Sequence, residues 1–348
     1  MTDGVRSRLT LAELGWRPFF QQQIGLEQWE YPVARVIAQH RNRLELASEA
    51  GEQGFALQPD MPPVTVGDWL LLTPDGRFER LLERQSLFRR RAAGSKVAEQ
   101  LIAANVDTLL IVTSLNDDFN LGRIERYLSL AYEAQTEPVI VLSKADLYDA
   151  PERVVDEIHA LDPRLLVESL NCLDPNDARK LAPWCGVGDT VALMGSSGVG
   201  KSTLVNTLLG KAVQQTGAIR EDDSKGRHVT TGRSLHLMPH GGLLLDTPGM
   251  RELQLADCDD GIHAAFADIT SLAEQCRFGD CQHGSEPGCA VQAAISQGEL
   301  DARRLASFHK LNREQAFNSA TLAEKRARDR SFGKMIKAHL AETDKRNR

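Results

Sequence analysis

Eight consecutive residues have the types and spacing of a loop that binds nucleotide phosphates. They fill the pattern G-x-x-x-x-G-K-[ST] and are Gly195, Ser196, Ser197, Gly198, Val199, Gly200, Lys201 and Ser202. In such a loop the glycines let consecutive backbone N–H groups face the phosphates, the lysine bridges the β- and γ-phosphates, and the final hydroxyl binds Mg²⁺. We therefore expect a nucleoside triphosphate with Mg²⁺ here, with Thr203 as the next residue of the site and Lys201 as a catalytic residue.

The elements needed to hold this loop flank it in the sequence. The apolar run 190–194 predicts a buried strand before the loop, and residues 203–209 predict a helix after it that ends at Gly210. A strand followed by a glycine-bearing loop and a helix is the context that this motif requires.

A second strand, predicted at 243–245, leads into Asp246-Thr-Pro-Gly249. An aspartate at the end of such a strand can hold a Mg²⁺-bound water, and the glycine N–H can meet the γ-phosphate. The preceding stretch 226–232, Gly-Arg-His-Val-Thr-Thr-Gly, lies where a nucleotide-dependent switch carries a threonine that binds Mg²⁺. Thr230 and Thr231 both qualify, and the choice between them stays open.

The residues Ser143, Lys144 and Asp146 follow a predicted strand at 139–142 and point to guanine as the base. A carboxylate at this place accepts hydrogen bonds from guanine N1–H and the 2-amino group, whereas adenine would leave it unpaired. The usual guanine motif is Asn-Lys-x-Asp, so Ser143 stands where asparagine is common. Ser169 and Leu170, after a strand-like segment at 165–167, are expected to pack under the base and contact its O6.

The order of these motifs differs from that of Ras-like GTPases, in which the phosphate loop comes first and the base motif late. Here the base motif precedes Lys201, and Asp246 comes last. A circular permutation explains this order, because the site depends on the spatial arrangement of the motifs and the ends of a domain often lie close together. The strand and helix alternation after residue 98 predicts a parallel sheet flanked by helices.

Four segments are predicted along the chain: a lead segment at 1–30, an all-β OB-type barrel at 31–96, a circularly permuted P-loop GTPase domain at 97–255, and a helical zinc-binding domain with a basic tail at 256–348. The barrel prediction depends on short β-compatible runs at 32–38, 43–46, 69–73 and 78–84, which glycines and prolines separate. The fold class is therefore α/β with an added β-barrel and a helical domain.

Cys276, Cys281, His283 and Cys289 supply three thiolates and an imidazole within fourteen residues. Such a set suits tetrahedral Zn²⁺, and because protein fills all four positions we expect one structural zinc per chain. The other three cysteines, at 172, 185 and 258, are expected to be ordinary thiols.

Charge is distributed unevenly along the chain. The net charge is −7, yet residues 303–348 contain thirteen lysines and arginines against five acidic residues. This tail and the run Arg89-Arg90-Arg91 with Lys96 are candidates for binding RNA phosphates. The sequence has no apolar run of about 18 residues and no basic-then-apolar leader, so we expect a cytoplasmic protein that binds no membrane.

Taken together, the permuted order, the barrel, the phosphate loop, the Gly226-Arg-His228 switch, Asp246–Gly249 and the Cys/His cluster resemble the ribosome small-subunit-dependent GTPase A family. The resemblance covers roughly residues 31–310. It implies hydrolysis of GTP to GDP that is stimulated by the small ribosomal subunit, and action late in maturation of that subunit and its 16S rRNA. We also expect a monomer. Ser143, Val229 in place of the more usual threonine, and a long helical lead depart from the family pattern.

Two other interpretations remain open at this stage. In the first, the protein is a nucleotide-gated rRNA-binding assembly scaffold in which hydrolysis is incidental, so a hydrolysis-dead variant would still complete the task. In the second, it is a P-loop ATPase, against which Asp146 argues.

The residue that orients the catalytic water must differ from that of Ras-like GTPases. Ras-like enzymes orient it with a glutamine just after Asp-x-x-Gly, but here that position is Met250, which cannot bind water. His228 lies two and three residues before the candidate threonines, a neutral imidazole can accept a hydrogen bond from water, and the family resemblance points to the same histidine. We expect His228→Ala to keep GTP affinity and subunit binding while losing most of the subunit-stimulated kcat. Full stimulation in this variant would assign the water to another group.

Overall fold

The computed structural model describes residues 8–91, 99–116, 119–211, 233–246 and 257–319, together with Met250, Leu253 and Leu255. The predicted switch residues His228, Thr230 and Thr231, together with Gly249, lie outside the described residues. Lys96 and the tail 320–348 do so as well.

The lead segment contains one short helix, α1 (Pro18–Gln21), and a 3₁₀ turn at Leu26–Gln28. A long helical lead was therefore a wrong expectation for residues 8–30, whose aromatic side chains pack instead. The Trp16 and Trp69 rings meet edge to face with centroids 4.8 Å apart, and Phe20 is buried beside them. Such aromatic contacts stabilise the lead on the barrel because they bury large apolar surfaces.

The barrel region has five strands in 33–81. They are β1 (Val33–Gln39), β2 (Arg43–Ser48), β3 (Gly51–Ala56), β4 (Trp69–Leu72) and β5 (Phe78–Leu81). The sequence pattern predicted four of these. It missed β3 because Gly51 and Gly54 were taken as breaks and because Phe55 is its only buried residue.

A buried arginine joins the lead, the barrel and the chain that follows. The Arg35 guanidinium donates to the carbonyl oxygens of Leu14 at 2.6 Å and Asn105 at 3.0 Å, and it lies 5.7 Å from the Trp69 ring centroid. Burial lowers the pKa of Arg35 to about 10. Because an unpaired buried charge is costly, these acceptors fix the relative positions of the three segments.

A parallel sheet flanked by helices follows the barrel. Its elements and those leading to it are β6 (Leu87–Arg91), β7 (Glu99–Ala104), β8 (Thr108–Ser114), α2 (Leu121–Glu133), β9 (Glu137–Ser143), α3 (Pro151–His159), β10 (Leu166–Leu170), α4 (Pro175–Ala178), β11 (Thr190–Met194), α5 (Lys201–Leu209), β12 (Arg233–Leu237) and β13 (Leu243–Asp246). The strands β10, β9, β8, β11 and β13 are neighbours in that order and run parallel, while β6 and β7 form a separate two-stranded sheet. The carboxyl ends of the parallel strands therefore meet at one edge, where ligands bind in open α/β sheets.

The barrel and the parallel sheet are joined edge to edge. Strand β12 runs antiparallel to β13 on one side and to β1 on the other, so a continuous eleven-stranded sheet results. Strand β1 is shared in its turn, since its first half pairs with β4 and its last two residues pair with β12.

The chain divides into two compact units, one formed within 1–89 and 101–253 and the other within 90–100 and 254–348. The predicted domain boundaries at 30, 96 and 255 stay predictions. The described part of the second unit holds α6 (Asp259–Ala265), α7 (Ala267–Ala273), α8 (Ala290–Gln297) and α9 (Ala302–Ser319), and no strand occurs in 257–319, as predicted. The Arg304 side chain binds Asp268 at 2.8 Å and lies over the Phe266 ring, which fixes α9 against α7.

Within the described residues, none of the helices combines the length and the apolar character that crossing a bilayer requires.

Candidate nucleotide site and metal cluster

The predicted phosphate loop connects β11 to α5, and two of its glycines are required by geometry. A Cβ on Gly195 would lie 2.1 Å from the carbonyl oxygen of Val112 in β8, so only glycine lets the loop pass this strand. Gly200 has φ +97°, a conformation that residues with side chains rarely adopt. Helix α5 begins at the next residue, which directs its positive dipole end toward the loop.

The Lys201 side chain folds back over this loop. Its ammonium donates to the carbonyl oxygens of Gly195 at 2.7 Å and of Ser196, and only 6% of the residue is exposed. The charge is thus held at the segment whose backbone amides are expected to face phosphate.

A second cation at the loop comes from α2 and was not anticipated. Arg123 donates from Nη1 to the Ser196 hydroxyl at 2.6 Å. Its backbone N–H donates to the side-chain oxygen of Asn120, which caps the helix, at 3.0 Å. The Asn120 cap is visible in the sequence as a helix start signal. The contact between Arg123 and Ser196 is not visible there, because 73 residues separate the partners.

Ser143 is placed under the phosphate loop. It is the last residue of β9, it is fully buried, and its hydroxyl lies 2.6 Å from the carbonyl oxygen of Val199 and 3.2 Å from that of Thr113. A serine hydroxyl has one proton, so the shorter contact to Val199 is the stronger donor interaction. Ser143 therefore ties the strand of the base motif to the middle of the phosphate loop.

The next residues of the base motif leave the sheet at once. Lys144 adopts φ +59°, and Asp146 lies exposed in the 3₁₀ turn Ala145–Leu147. The left-handed turn at Lys144 directs the chain out of β9 and leaves the Asp146 carboxylate accessible from solvent.

Ser169 and Leu170 were expected after a strand, but they are the last two residues of β10. Leu170 pairs with Ser143 across the sheet, and its side chain is fully buried in the apolar core. The Ser169 carbonyl accepts a hydrogen bond from Lys180 at 2.8 Å. A base at this edge could meet the backbone of Leu170 but not its side chain.

Asp246 is the last residue of β13, half-buried, on the strand next to β11. Lys144, Ser169, Gly195 and Asp246 therefore lie at the carboxyl ends of four parallel strands. Positions separated by up to a hundred residues share one edge because the strands are parallel.

The second unit contains a cluster that could hold a metal ion. The ligand atoms of Cys276, Cys281, His283 and Cys289 all lie within 4.8 Å of one another. The Cys276 and Cys289 sulfurs are 3.9 Å apart, and each lies 3.6 Å from His283 Nδ1. Tetrahedral coordination with metal–sulfur bonds of about 2.3 Å separates ligand atoms by about 3.8 Å, so the donor set and its spacing fit such an ion.

Side chains around the cluster fix its loops. Gln292 donates from Nε2 to the His283 carbonyl at 2.6 Å and from its backbone N–H to the Cys289 sulfur at 3.4 Å. The Glu286 carboxylate accepts from the backbone N–H groups of Gln282 and Gly284 at 3.0 and 2.7 Å. Outer partners of this kind orient metal ligands.

Cys172, Cys185 and Cys258 are buried thiols, as expected. Burial raises the pKa of both Cys172 and Cys185 to about 12, so these thiols stay protonated at neutral pH.

Comparisons with known proteins decide the family. The sequence model described as RsgA GTPase matches residues 81–256. A relative from Vibrio parahaemolyticus, "Small ribosomal subunit biogenesis GTPase RsgA 2", is 60% identical over 337 residues, which cover 97% of this chain and 94% of the relative. A relative from Mesorhizobium japonicum, "Small ribosomal subunit biogenesis GTPase RsgA", is 51% identical, and the match covers 89% of this chain and 91% of the relative.

The chain belongs to the RsgA GTPase family. It is therefore a GTPase, which confirms the enzyme class predicted from the motifs. An ABC transporter model also matches residues 184–341. That match includes the phosphate loop, a motif that P-loop ATPases and GTPases share, and it omits the base motif at 143–146.

Solved structures show the same permuted fold as this RsgA GTPase. "Crystal structure of YjeQ from Thermotoga maritima" has a TM-score of 0.60 at 24% identity and covers 81% of this chain and 97% of its own. "The crystal structure of YloQ, a circularly permuted GTPase" has a TM-score of 0.60 at 22% identity, and the match covers 85% of this chain and 99% of the YloQ chain. The permutation inferred from motif order is thus confirmed.

The Ser143 contact leads to a prediction about nucleotide affinity. Ser143→Ala removes the donor to Val199 and leaves a buried carbonyl unpaired, which costs about 1–3 kcal/mol and loosens the loop. We expect GTP affinity, measured by calorimetry, to fall about tenfold, which corresponds to about 1.4 kcal/mol. Ser114→Ala is the matched control, because Ser114 is a buried serine at the end of the neighbouring β8 whose hydroxyl bonds Asn116 instead. Equal affinity in both variants would contradict the supporting role of Ser143.

Proposed function

We propose that this GTPase acts in biogenesis of the small ribosomal subunit, late in its maturation, and that binding to the subunit and its 16S rRNA stimulates GTP hydrolysis. The observation that carries the proposal is the 60% identity, over nearly the whole of both chains, to a relative named as a small ribosomal subunit biogenesis GTPase. We further propose that it works as a monomer in the cytoplasm.

The phosphates of GTP are assigned to the loop Gly195–Ser202 and to Thr203. The position of the Lys201 ammonium on the loop supports its assignment to the β- and γ-phosphates, where it offsets the charge that grows in the transition state. Ser202 and one of Thr230 and Thr231 are proposed to bind Mg²⁺ directly. Asp246 would act through a bound water, and Mg²⁺ would supply charge neutralisation between the phosphates.

Guanine is assigned to Asp146, with Lys144 beside it. The exposed carboxylate of Asp146 suits the paired donors of the guanine edge, N1–H and the 2-amino group. Ser169 and the backbone of Leu170 are proposed to border the base. Ser143 is proposed to act indirectly, by fixing the phosphate loop from below.

His228 is proposed to orient the attacking water. The burial of Met250 supports this proposal, because the side chain at the position of the usual glutamine is only 2% exposed. The imidazole of His228 would accept a hydrogen bond from the water, and a lone pair of the water oxygen would then point at the γ-phosphorus. The backbone N–H of Gly249 is proposed to bind the γ-phosphate.

The metal in the cluster is proposed to be a single Zn²⁺ with a structural role. Three thiolates and one imidazole are soft and borderline ligands that favour Zn²⁺ over Mg²⁺ or Ca²⁺, and protein atoms supply all four. The ion would supply cross-linking of the loop between α7 and α8 and no chemistry on GTP.

Turnover with purified small subunits tests the function. We expect GTP hydrolysis to rise at least about tenfold with subunits, ATP hydrolysis to stay near background, and the complex to weaken steeply with salt because phosphate contacts release counterions. Lys201→Ala serves as the inactive control. If wild type shows no stimulation, the proposal fails. If Lys201→Ala restores subunit maturation in cells that lack the protein, the scaffold interpretation replaces it.

Metal content tests the zinc proposal. Elemental analysis is expected to find one zinc per chain, and Cys281→Ser should lose it together with thermal stability of the C-terminal unit, because the bound ion stabilises the fold that holds it. Cys185→Ser is the matched control, since Cys185 is a buried thiol outside the cluster. Absence of zinc in wild type, or full zinc in Cys281→Ser, would reject the assignment.

A further inference from the structure

Strand β12 lies between the barrel and the nucleotide edge, which is the edge of the parallel sheet where the phosphate loop and Asp246 lie. Ser234 pairs with Ala38 of the barrel strand β1 on one side and with Asp246 of β13 on the other. A single residue of β12 therefore separates the barrel from the aspartate assigned to the Mg²⁺-bound water. In sequence, β12 also begins two residues after Thr231.

Within the described residues, which resume at Arg233 after the gap at 212–232, two pairs join β1 to β12: Ala38 with Ser234 and Gln39 with Arg233. Four pairs join β12 to β13. A two-pair ladder alone would hold the barrel weakly against the parallel sheet, because each pair contributes few backbone hydrogen bonds.

Arg233 reinforces this joint. Its guanidinium donates from Nη1 to the carbonyl oxygen of Leu101 at 2.5 Å, the side-chain oxygen of Gln39 at 3.2 Å and the hydroxyl of Thr65 at 3.4 Å. One side chain of β12 thus contacts β1, the barrel loop before β4, and β7.

The acceptors of Arg233 are themselves fixed within the barrel. Gln39 donates from its amide to the Val64 carbonyl at 3.0 Å, which orients the amide oxygen toward Arg233. Thr65 is fully buried, and its backbone N–H donates to the buried Asp68 carboxylate at 2.7 Å. Because these acceptors are held by their own hydrogen bonds, Arg233 Nη1 meets groups that are already fixed in place.

We propose that Arg233 is a positioning residue that couples the barrel to β12 and, across Ser234, to Asp246, and that stimulation by the small subunit passes through this joint. The inference rests on the proposed function. A force on the barrel moves β1, and Arg233 makes β12 follow instead of letting the short ladder slip. Both ends of the path, β1 and β13, pair directly with β12, which gives the coupling a contiguous physical route.

Two substitutions of Arg233 test the coupling. Arg233→Gln keeps a polar side chain but cannot reach all three acceptors. We expect subunit-stimulated kcat to fall about tenfold, within the usual range of coupling between sites, while basal kcat, GTP affinity and subunit binding change less than about twofold. Arg233→Lys keeps the charge on a side chain that ends one atom short of Nη1, so it reaches the same acceptors less well, and we expect an intermediate stimulated kcat.

Arg80→Gln controls for loss of barrel stability. Arg80 of β5 donates from Nη2 to the Gln23 carbonyl of the lead segment and contacts none of the acceptors of Arg233. Its replacement should lower the melting temperature but leave stimulation intact.

The outcomes separate the two proposals. If wild type is not stimulated, the proposed function fails. If wild type is stimulated and Arg233→Gln is stimulated equally, the coupling alone is wrong. The coupling is also wrong if Arg233→Gln loses basal turnover or GTP affinity in parallel with stimulation, or if Arg80→Gln loses as much stimulation as Arg233→Gln. Selective loss in Arg233→Gln with partial recovery in Arg233→Lys supports it.

Discussion

The parallel alignment of β9, β10, β11 and β13 is the constraint on which the nucleotide edge depends. Parallel strands end at the same edge, so motifs that are far apart in the chain reach one region of the molecule. Two polar contacts then hold the phosphate loop in place at this edge. Ser143 binds the carbonyl of Val199 from below the phosphate loop, and Arg123 binds the Ser196 hydroxyl from the side. The loop is therefore supported by two neighbouring elements in addition to its own glycines.

Circular permutation leaves this arrangement intact and changes what the domain is connected to. In this chain β12 borders β1, so the α/β sheet continues into the barrel without a break. Arg35 reinforces the same region through its buried contacts to Leu14 and Asn105. A rigid connection of this kind carries displacement where a flexible linker would absorb it.

The Cys/His cluster is held together without a hydrophobic core. Residues 276–289 between α7 and α8 contain few apolar side chains, so a hydrophobic core cannot fix them. Four ligand atoms within 4.8 Å of one another replace that core, and Gln292 and Glu286 hold the loop backbone that presents them. Because the ligands lie close together in sequence, the cluster was recognisable without any tertiary information.

The sequence by itself determined the family, the permuted order of motifs, the strand at 190–194 and the Cys/His cluster that could hold a metal ion, because each depends on residue types at short fixed spacing. It misjudged β3, whose glycines hide a strand, and the ends of β10, because neighbouring strands decide how far a ladder extends. The contacts of Ser143, Arg123 and Arg233 join residues 56, 73 and 132 positions away from them. Only the tertiary structure decided these contacts, since local spacing carries no information about which distant carbonyl or hydroxyl a buried donor will meet.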